Sequence, residues 1–81
     1  MKYPLSIIVI TYNEEQMIRN CLESIKWADD IIIVDAFSTD KTLEIAKLYT
    51  DRVFQKKWNG YVAAKKLGLE YAVHDWILFL D

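Results

Sequence analysis

Ile31-Ile32-Ile33-Val34 is the stretch that most constrains what this chain can fold into. Four β-branched apolar residues follow one another without a polar interruption and run directly into Asp35 and the polar Ser38-Thr39-Asp40. A run of this kind has no face to give to water, so it suits a strand covered on both sides, as in a parallel sheet flanked by helices. In open sheets of that type, ligands bind beyond the carboxyl ends of the strands, which is where Asp35 falls. Two readings stand side by side. Asp35 is a carboxylate that faces a ligand from the strand end without being buried in the sheet, or it ends the strand while Ser38, Thr39 or Asp40 caps the next helix.

The rest of the chain repeats the pattern. Leu5 to Ile10 is a first strand, with Pro4 tolerated at its start. Thr11-Tyr12-Asn13-Glu14-Glu15 is a polar turn into a helix, with Asn13 as N-cap and two glutamates suited to the positive end of the helix dipole. Met17, Ile18, Cys21, Leu22 and Ile25 recur at helical spacing as one apolar stripe, and that helix ends near Trp27. After Asp40 a second helix runs to about Tyr49, burying Leu43, Ile45, Ala46, Leu48 and Tyr49. Asp51 to Gln55 is a short third strand, Lys56 to Gly60 a loop, Tyr61 to Val73 a third helix and Trp76 to Leu80 a fourth strand. The order β-α-β-α-β-α-β implies an α/β fold: a three-layer α/β/α arrangement around a parallel sheet with right-handed crossovers.

Composition narrows the class. At 81 residues the chain is one domain at most, and 53% hydrophobic with 27% charged describes a globular chain. A net charge of −2 gives no reason to expect nucleic acid as a partner. The lone Cys21 excludes an internal disulfide and reads as a packed thiol. Met1-Lys2-Tyr3-Pro4 leads straight into a strand with no signal-peptide pattern, and no apolar stretch approaches the roughly 20 residues a membrane span needs. The expected location is the cytoplasm. The chain stops at Asp81, directly after an apolar strand, which reads as the N-terminal part of a longer domain.

The turn after strand 1 contains no glycine, so neither a dinucleotide fingerprint nor a P-loop is present. With a strand order of 3-2-1-4 the chain reverses direction across the sheet between strands 1 and 4, and a crevice opens there. Thr11 and Tyr12, Asp35 and Asp81 gather around it from strands 1, 2 and 4. Tyr12 can stack on a base, Asp35 can accept hydrogen bonds, and Asp81 can approach a metal. The plain alternatives are a helix-entry staple for Tyr12 and a strand terminator for Asp81. His74 reads as a solvent-facing turn residue, Trp58 and Trp76 as core or half-buried aromatics. Lys56, Lys57, Lys65 and Lys66 read first as solvated charges, though they could meet phosphates or an anionic membrane surface.

Together, Pro4 to Glu15, the Val34-Asp35 … Ser38-Thr39-Asp40 segment and the terminal Asp81 resemble the start of a family 2 glycosyltransferase of the GT-A fold. The resemblance spans the chain. It implies that Thr11, Tyr12 and Asp35 hold the nucleotide of a UDP-sugar, with Glu14 as a ribose or base contact and Lys65 as the basic residue near the diphosphate. Lys66 departs from the pattern, standing where asparagine is common. Asp81 matches the first aspartate of a D-x-D motif that binds Mg or Mn, and the general base would lie beyond it. Such an enzyme passes sugar to a glycan or lipid-linked acceptor, at the inner face of the membrane in the full-length protein. The commoner second motif reads Asp-Asp-Gly-Ser, and here Ala36 and Phe37 replace its second aspartate and its glycine. Asp35-x-Phe37-Ser38-Thr39-Asp40 with His74 to Leu78 is similar to a subgroup of bacterial enzymes that add glucose to the lipopolysaccharide core. The rival reading is a receiver-like signalling or interaction module phosphorylated on Asp35. It lacks an acidic pair at the end of strand 1 and an aspartate after strand 3. An unpaired outer edge on strand 4 predicts self-association of the 81-residue chain.

Overall fold

The computed structural model describes residues 4–81. Met1-Lys2-Tyr3, read above as a lead-in without a signal peptide, lie outside the described residues. The elements follow the expected alternation: β1 (Leu5–Thr11), α1 (Glu15–Ile25), β2 (Asp30–Asp35), α2 (Thr42–Ala46), β3 (Val53–Gln55), α3 (Gly60–Tyr71) and β4 (Trp76–Leu80). All strand pairs are parallel and the order is β3-β2-β1-β4, as the sequence predicts. β1 and β2 lie in register from Ser6 opposite Asp30 to Thr11 opposite Asp35. The carboxyl ends of the two central strands are therefore level, and their following loops emerge side by side.

The unbroken apolar runs put side chains on both faces of the sheet, and each face has its own core. Ile7, Val9, Ile31 and Ile33 pack beneath Ile18, Leu22 and Ile25 of α1 and Ala46 of α2. Ile8, Ile10, Ile32 and Val34 pack against Ala64 of α3, with Leu67, Phe54, Ile77 and Phe79 partly buried around them. Full burial of an isoleucine is worth about 1.5–3 kcal/mol, so the two central strands carry most of the hydrophobic stabilisation. The outer strands are partly exposed.

Some local expectations are corrected. Asn13 does not cap α1: it adopts φ 48°, and its Oδ1 accepts the Thr39 N–H (2.8 Å) across the loop. Met17 is exposed, and only Ile18, Leu22 and Ile25 of the apolar stripe are buried, with Cys21 partly so. Burial pushes the Cys21 thiol above its ordinary pKa, as befits a packed thiol. α1 ends at Ile25 and α2 at Ala46, and Leu48, 70% exposed, is no core residue. His74 is half-buried instead of solvent-facing: its Nε2 pairs with Asp29, and its N–H donates to Ser6 Oγ (3.1 Å). Trp58 and Trp76 are exposed. No described helix is long and apolar enough to cross a membrane.

At the amino ends of the strands the chain buries Asp30 and satisfies it. Ser6 Oγ donates to its Oδ2 (2.8 Å), Val73 N–H to the same oxygen (3.2 Å), and Arg52 Nε pairs with Oδ1 at 2.9 Å. A buried carboxylate is tolerated only when paired and hydrogen-bonded, and these partners tie β1, β2 and the flanks of β3 and β4 together at one pole. The opposite pole is left to the loops.

Candidate functional site

Short backbone and side-chain links build that opposite pole. Asp35 ends β2 fully buried, and Ser38 engages both its oxygens: the Ser38 N–H donates to Oδ2 (2.8 Å) and Ser38 Oγ to Oδ1 (2.6 Å). The same Oγ accepts the Asn13 N–H (2.8 Å), so Asn13, Ser38 and Asp35 form a relay from the β1–α1 loop to the end of β2. Ala36 N–H donates to Thr11 O (2.9 Å), extending the pairing of β1 with β2 by one residue. The first turn of α1 has no cap of its own. Its amides are capped from the other loop instead: Glu14 N–H donates to Thr42 Oγ1 (2.7 Å) and Glu15 N–H to Asp40 Oδ2 (3.2 Å). Asp40 Oδ1 accepts the Thr42 N–H (2.9 Å), so one carboxylate serves the first turns of both helices. Of the two readings of Asp35 and the residues after it, the capping is observed: Asp40 caps, and it acts on two helices.

Between these loops and the end of β4 lies a cavity of about 670 Å³, lined by Thr11, Tyr12, Glu14 and Asp81 together with Phe37, Lys57, Trp58 and Tyr61. It sits at the switch point, where the strand order reverses between β1 and β4. Its size is that of a small-molecule site, typically about 300–1,000 Å³. Thr11 is buried, and among the described residues its Oγ1 has no hydrogen-bond partner. An unmade bond on a buried hydroxyl costs about 1–3 kcal/mol, a cost borne at the end of β1 beside the cavity. Trp58 and Tyr61 meet edge to face, ring centroids 4.9 Å apart. Aromatic walls with one ammonium group and two carboxylates suit a ligand that has a planar part and polar groups.

The predicted site residues divide. Thr11, Tyr12, Glu14 and Asp81 line the cavity; Asp35 and Lys65 do not. Asp35 was expected to face a ligand without burial, yet it is 0% exposed and bonded to Ser38. The reason is register: Asp35 still pairs with Thr11 and Gln55 inside the sheet, and the turn folds over it. Burial also removes it as a phosphoryl acceptor, which counts against the receiver-like reading. Lys65 is half-buried on α3, its Nζ 5.3 Å from the centre of the Phe79 ring, a distance at which a cation is attracted to the ring face. Of the other lining residues, the sequence offers Lys57 only as a solvated charge that could meet phosphates and Trp58 as a core or half-buried aromatic, and it does not mark Phe37 or Tyr61. The available signal was their position just beyond β2 and β3, at the ligand-binding end of the same sheet. Among the described residues no three acidic, histidine or cysteine side chains stand together as a metal site. Asp81 is a single carboxylate donor.

Comparison with known proteins decides the family. The family model described as "Glycosyl transferase family 2" matches residues 6–81. The chain belongs to glycosyl transferase family 2. It is 41% identical to an uncharacterized glycosyltransferase of Rickettsia typhi over 95% of this chain and 27% of that protein. It is 35% identical to the lipopolysaccharide core biosynthesis glycosyltransferase LpsC of Rhizobium meliloti, over 99% of this chain and 32% of LpsC. It is 40% identical to the SPbeta prophage-derived glycosyltransferase SunS of Bacillus subtilis, over 90% of this chain and 18% of SunS. The chain thus spans roughly a third or less of the length of these relatives.

Proposed function

We propose that the protein carrying this chain transfers a sugar from a nucleotide-sugar donor to a glycan or lipid-linked acceptor, and that this chain holds the nucleotide, a uridine diphosphate. The observation that supports it is the cavity at the switch point, where Thr11, Tyr12, Lys57 and Asp81 border one space. The Tyr12 ring answers to the base by stacking, and the Lys57 ammonium group to the diphosphate. Glu14, which lines the same cavity, would accept from a ribose hydroxyl. Lys57 takes the part that the family likeness gives to Lys65, whose ammonium group is engaged by Phe79. Asp35 acts through Ser38 as a positioning residue, fixing the loop that closes one side of the cavity.

Asp81 would hold a divalent cation, Mg or Mn, as one protein donor beside the phosphates of the sugar donor. Such a cation, when bound, offsets charge on the departing diphosphate. The base that takes the acceptor's proton we assign to the remainder of the longer protein. The name of LpsC suggests a lipopolysaccharide core acceptor for this chain's protein also, which would place the work at the cytoplasmic face of a membrane.

Calorimetric titration of the chain with UDP and manganese tests the reading. Tyr12→Ala should weaken UDP roughly tenfold, the scale of a lost base–aromatic stack. Lys57→Gln should weaken it several-fold, with the loss shrinking at high salt as the charges are screened. Lys65→Gln should bind as wild type does. No measurable heat with the wild-type chain would remove the nucleotide reading, and a larger loss for Lys65→Gln than for Lys57→Gln would return the diphosphate to α3.

A further inference from the structure

We propose that Phe37 is a base-gripping residue: its ring forms, with Tyr12, the aromatic surface that binds the heterocycle of the nucleotide, and the chain bears a strained backbone to hold it there. The inference rests on the nucleotide reading above and names a determinant within it.

The described residues include two non-glycine positions at positive φ, Asn13 at 48° and Phe37 at 58°. Asparagine enters this left-handed region readily because its short polar side chain bonds locally, and Asn13 does so with the Thr39 N–H. Phenylalanine has no such compensation. Glycine would fill the position without steric cost, so the ring itself must be of use. The core does not use it: Phe37 is 53% exposed and belongs to neither of the two hydrophobic clusters. Phe37 lines the cavity that Tyr12 also lines.

The backbone on either side is pinned. Ala36 N–H is held by Thr11 O (2.9 Å), and Ser38 is held by both oxygens of Asp35 and by the Asn13 N–H. Residue 37 therefore cannot shed its strain by a small shift of the loop. Strain that persists because its surroundings over-determine it collects at ligand sites. A planar aromatic face on a cavity wall recognises another planar face, and among the parts of a nucleotide donor only the base has one.

The test uses the 81-residue chain and two variants, Phe37→Leu and Phe37→Gly, titrated with UDP and, separately, with inorganic pyrophosphate, which lacks the base. Thermal unfolding of each ligand-free protein is measured in parallel. Both variants should bind UDP roughly tenfold more weakly and pyrophosphate as the wild type does. Phe37→Gly should also unfold at a higher temperature than wild type, because strain is relieved. Affinity for UDP and stability then move in opposite directions, which a purely structural role would not produce. UDP binding equal to wild type in both variants overturns this inference and leaves the nucleotide reading standing. A parallel loss of pyrophosphate binding overturns it as well, since the ring would then be shaping the whole cavity. A wild-type chain that binds no UDP overturns the nucleotide reading and, with it, the role of Phe37.

Discussion

Asp40 shows how much one side chain can organise. Its Oδ2 accepts from Glu15 N–H, and its Oδ1 accepts from the Thr42 N–H and from Thr42 Oγ1 (2.5 Å). The loops after β1 and β2, which form one wall of the cavity, are thus held by a carboxylate that bonds best when ionised. Burial works to raise the Asp40 pKa, and the hydrogen bonds from Thr42 and the Glu15 amide outweigh it, leaving the group below its ordinary value of 3.8. A carboxyl whose folded pKa is depressed adds stability that is fully present above the ordinary value. That stability is lost as pH falls through the lower folded one. The wild-type chain should therefore lose stability on acidification below about pH 4. Asp40→Asn should start less stable at neutral pH and show a shallower acid limb, so that the two curves converge. Urea unfolding at a series of pH values measures this, and parallel curves for the two proteins would remove Asp40 from the acid response.

At the scale of the element, α3 carries the clearest constraint. Gly68 lies mid-helix, where glycine costs about 1 kcal/mol relative to alanine. A Cβ there would stand 2.4 Å from Ile8 Cγ2 and 3.0 Å from Cδ1. Ile8 is fully buried in β1 and has no room to yield. Overpacking of this kind costs about 1–3 kcal/mol against the propensity gain, so Gly68→Ala should destabilise by about 1–2 kcal/mol. A denaturation midpoint at or above that of wild type would mean that α3 stands further from β1 than described. β1 and β2 were legible in the sequence because an unbroken β-branched run admits little else, and their pairing followed from the alternation with helices. α2 was overrun because Leu48 and Tyr49 continue a helical spacing by accident. The chain instead tightens after Ala46, with Leu48 N–H on Ile45 O and Tyr49 N–H on Ala46 O, both at 3.0 Å. Thr50 Oγ1 then donates to Ile31 O (2.8 Å) and steers the chain toward β3. Thr11, Tyr12 and Asp81 could be placed at the cavity from topology alone. Phe37, Lys57 and Trp58 reach it through loop geometry that no periodicity encodes, Tyr61 comes from the first turn of α3, and the burial of Asp35 depends on how one turn folds.

The molecule as a whole has two sheet edges of very different character. β3 is three residues long and runs into Gln55-Lys56-Lys57, which shortens and charges that edge, a common defence against strand addition. β4 is longer, reads Trp-Ile-Leu-Phe-Leu, and among the described residues pairs with β1 alone. Trp76 is 74% exposed and Leu78 41%, so apolar side chains flank a row of free N–H and C=O groups. Nothing comparable to the lysines of the β3 end interrupts it. A second copy of the 81-residue chain can add its own β4 there, joining two four-stranded sheets and covering both apolar flanks at once. The expected behaviour is concentration-dependent association. Sedimentation velocity over a wide concentration range should show the mass rising with concentration, and Leu78→Lys, which sets like charges close together across the joined edges, should shift the chain toward monomer. Leu78 lies outside the cavity-lining residues, so the variant should bind UDP as the wild type does. A wild-type chain that stays strictly monomeric at the highest concentration would show that the β4 edge does not pair, and association undiminished in Leu78→Lys would move the contact to another surface.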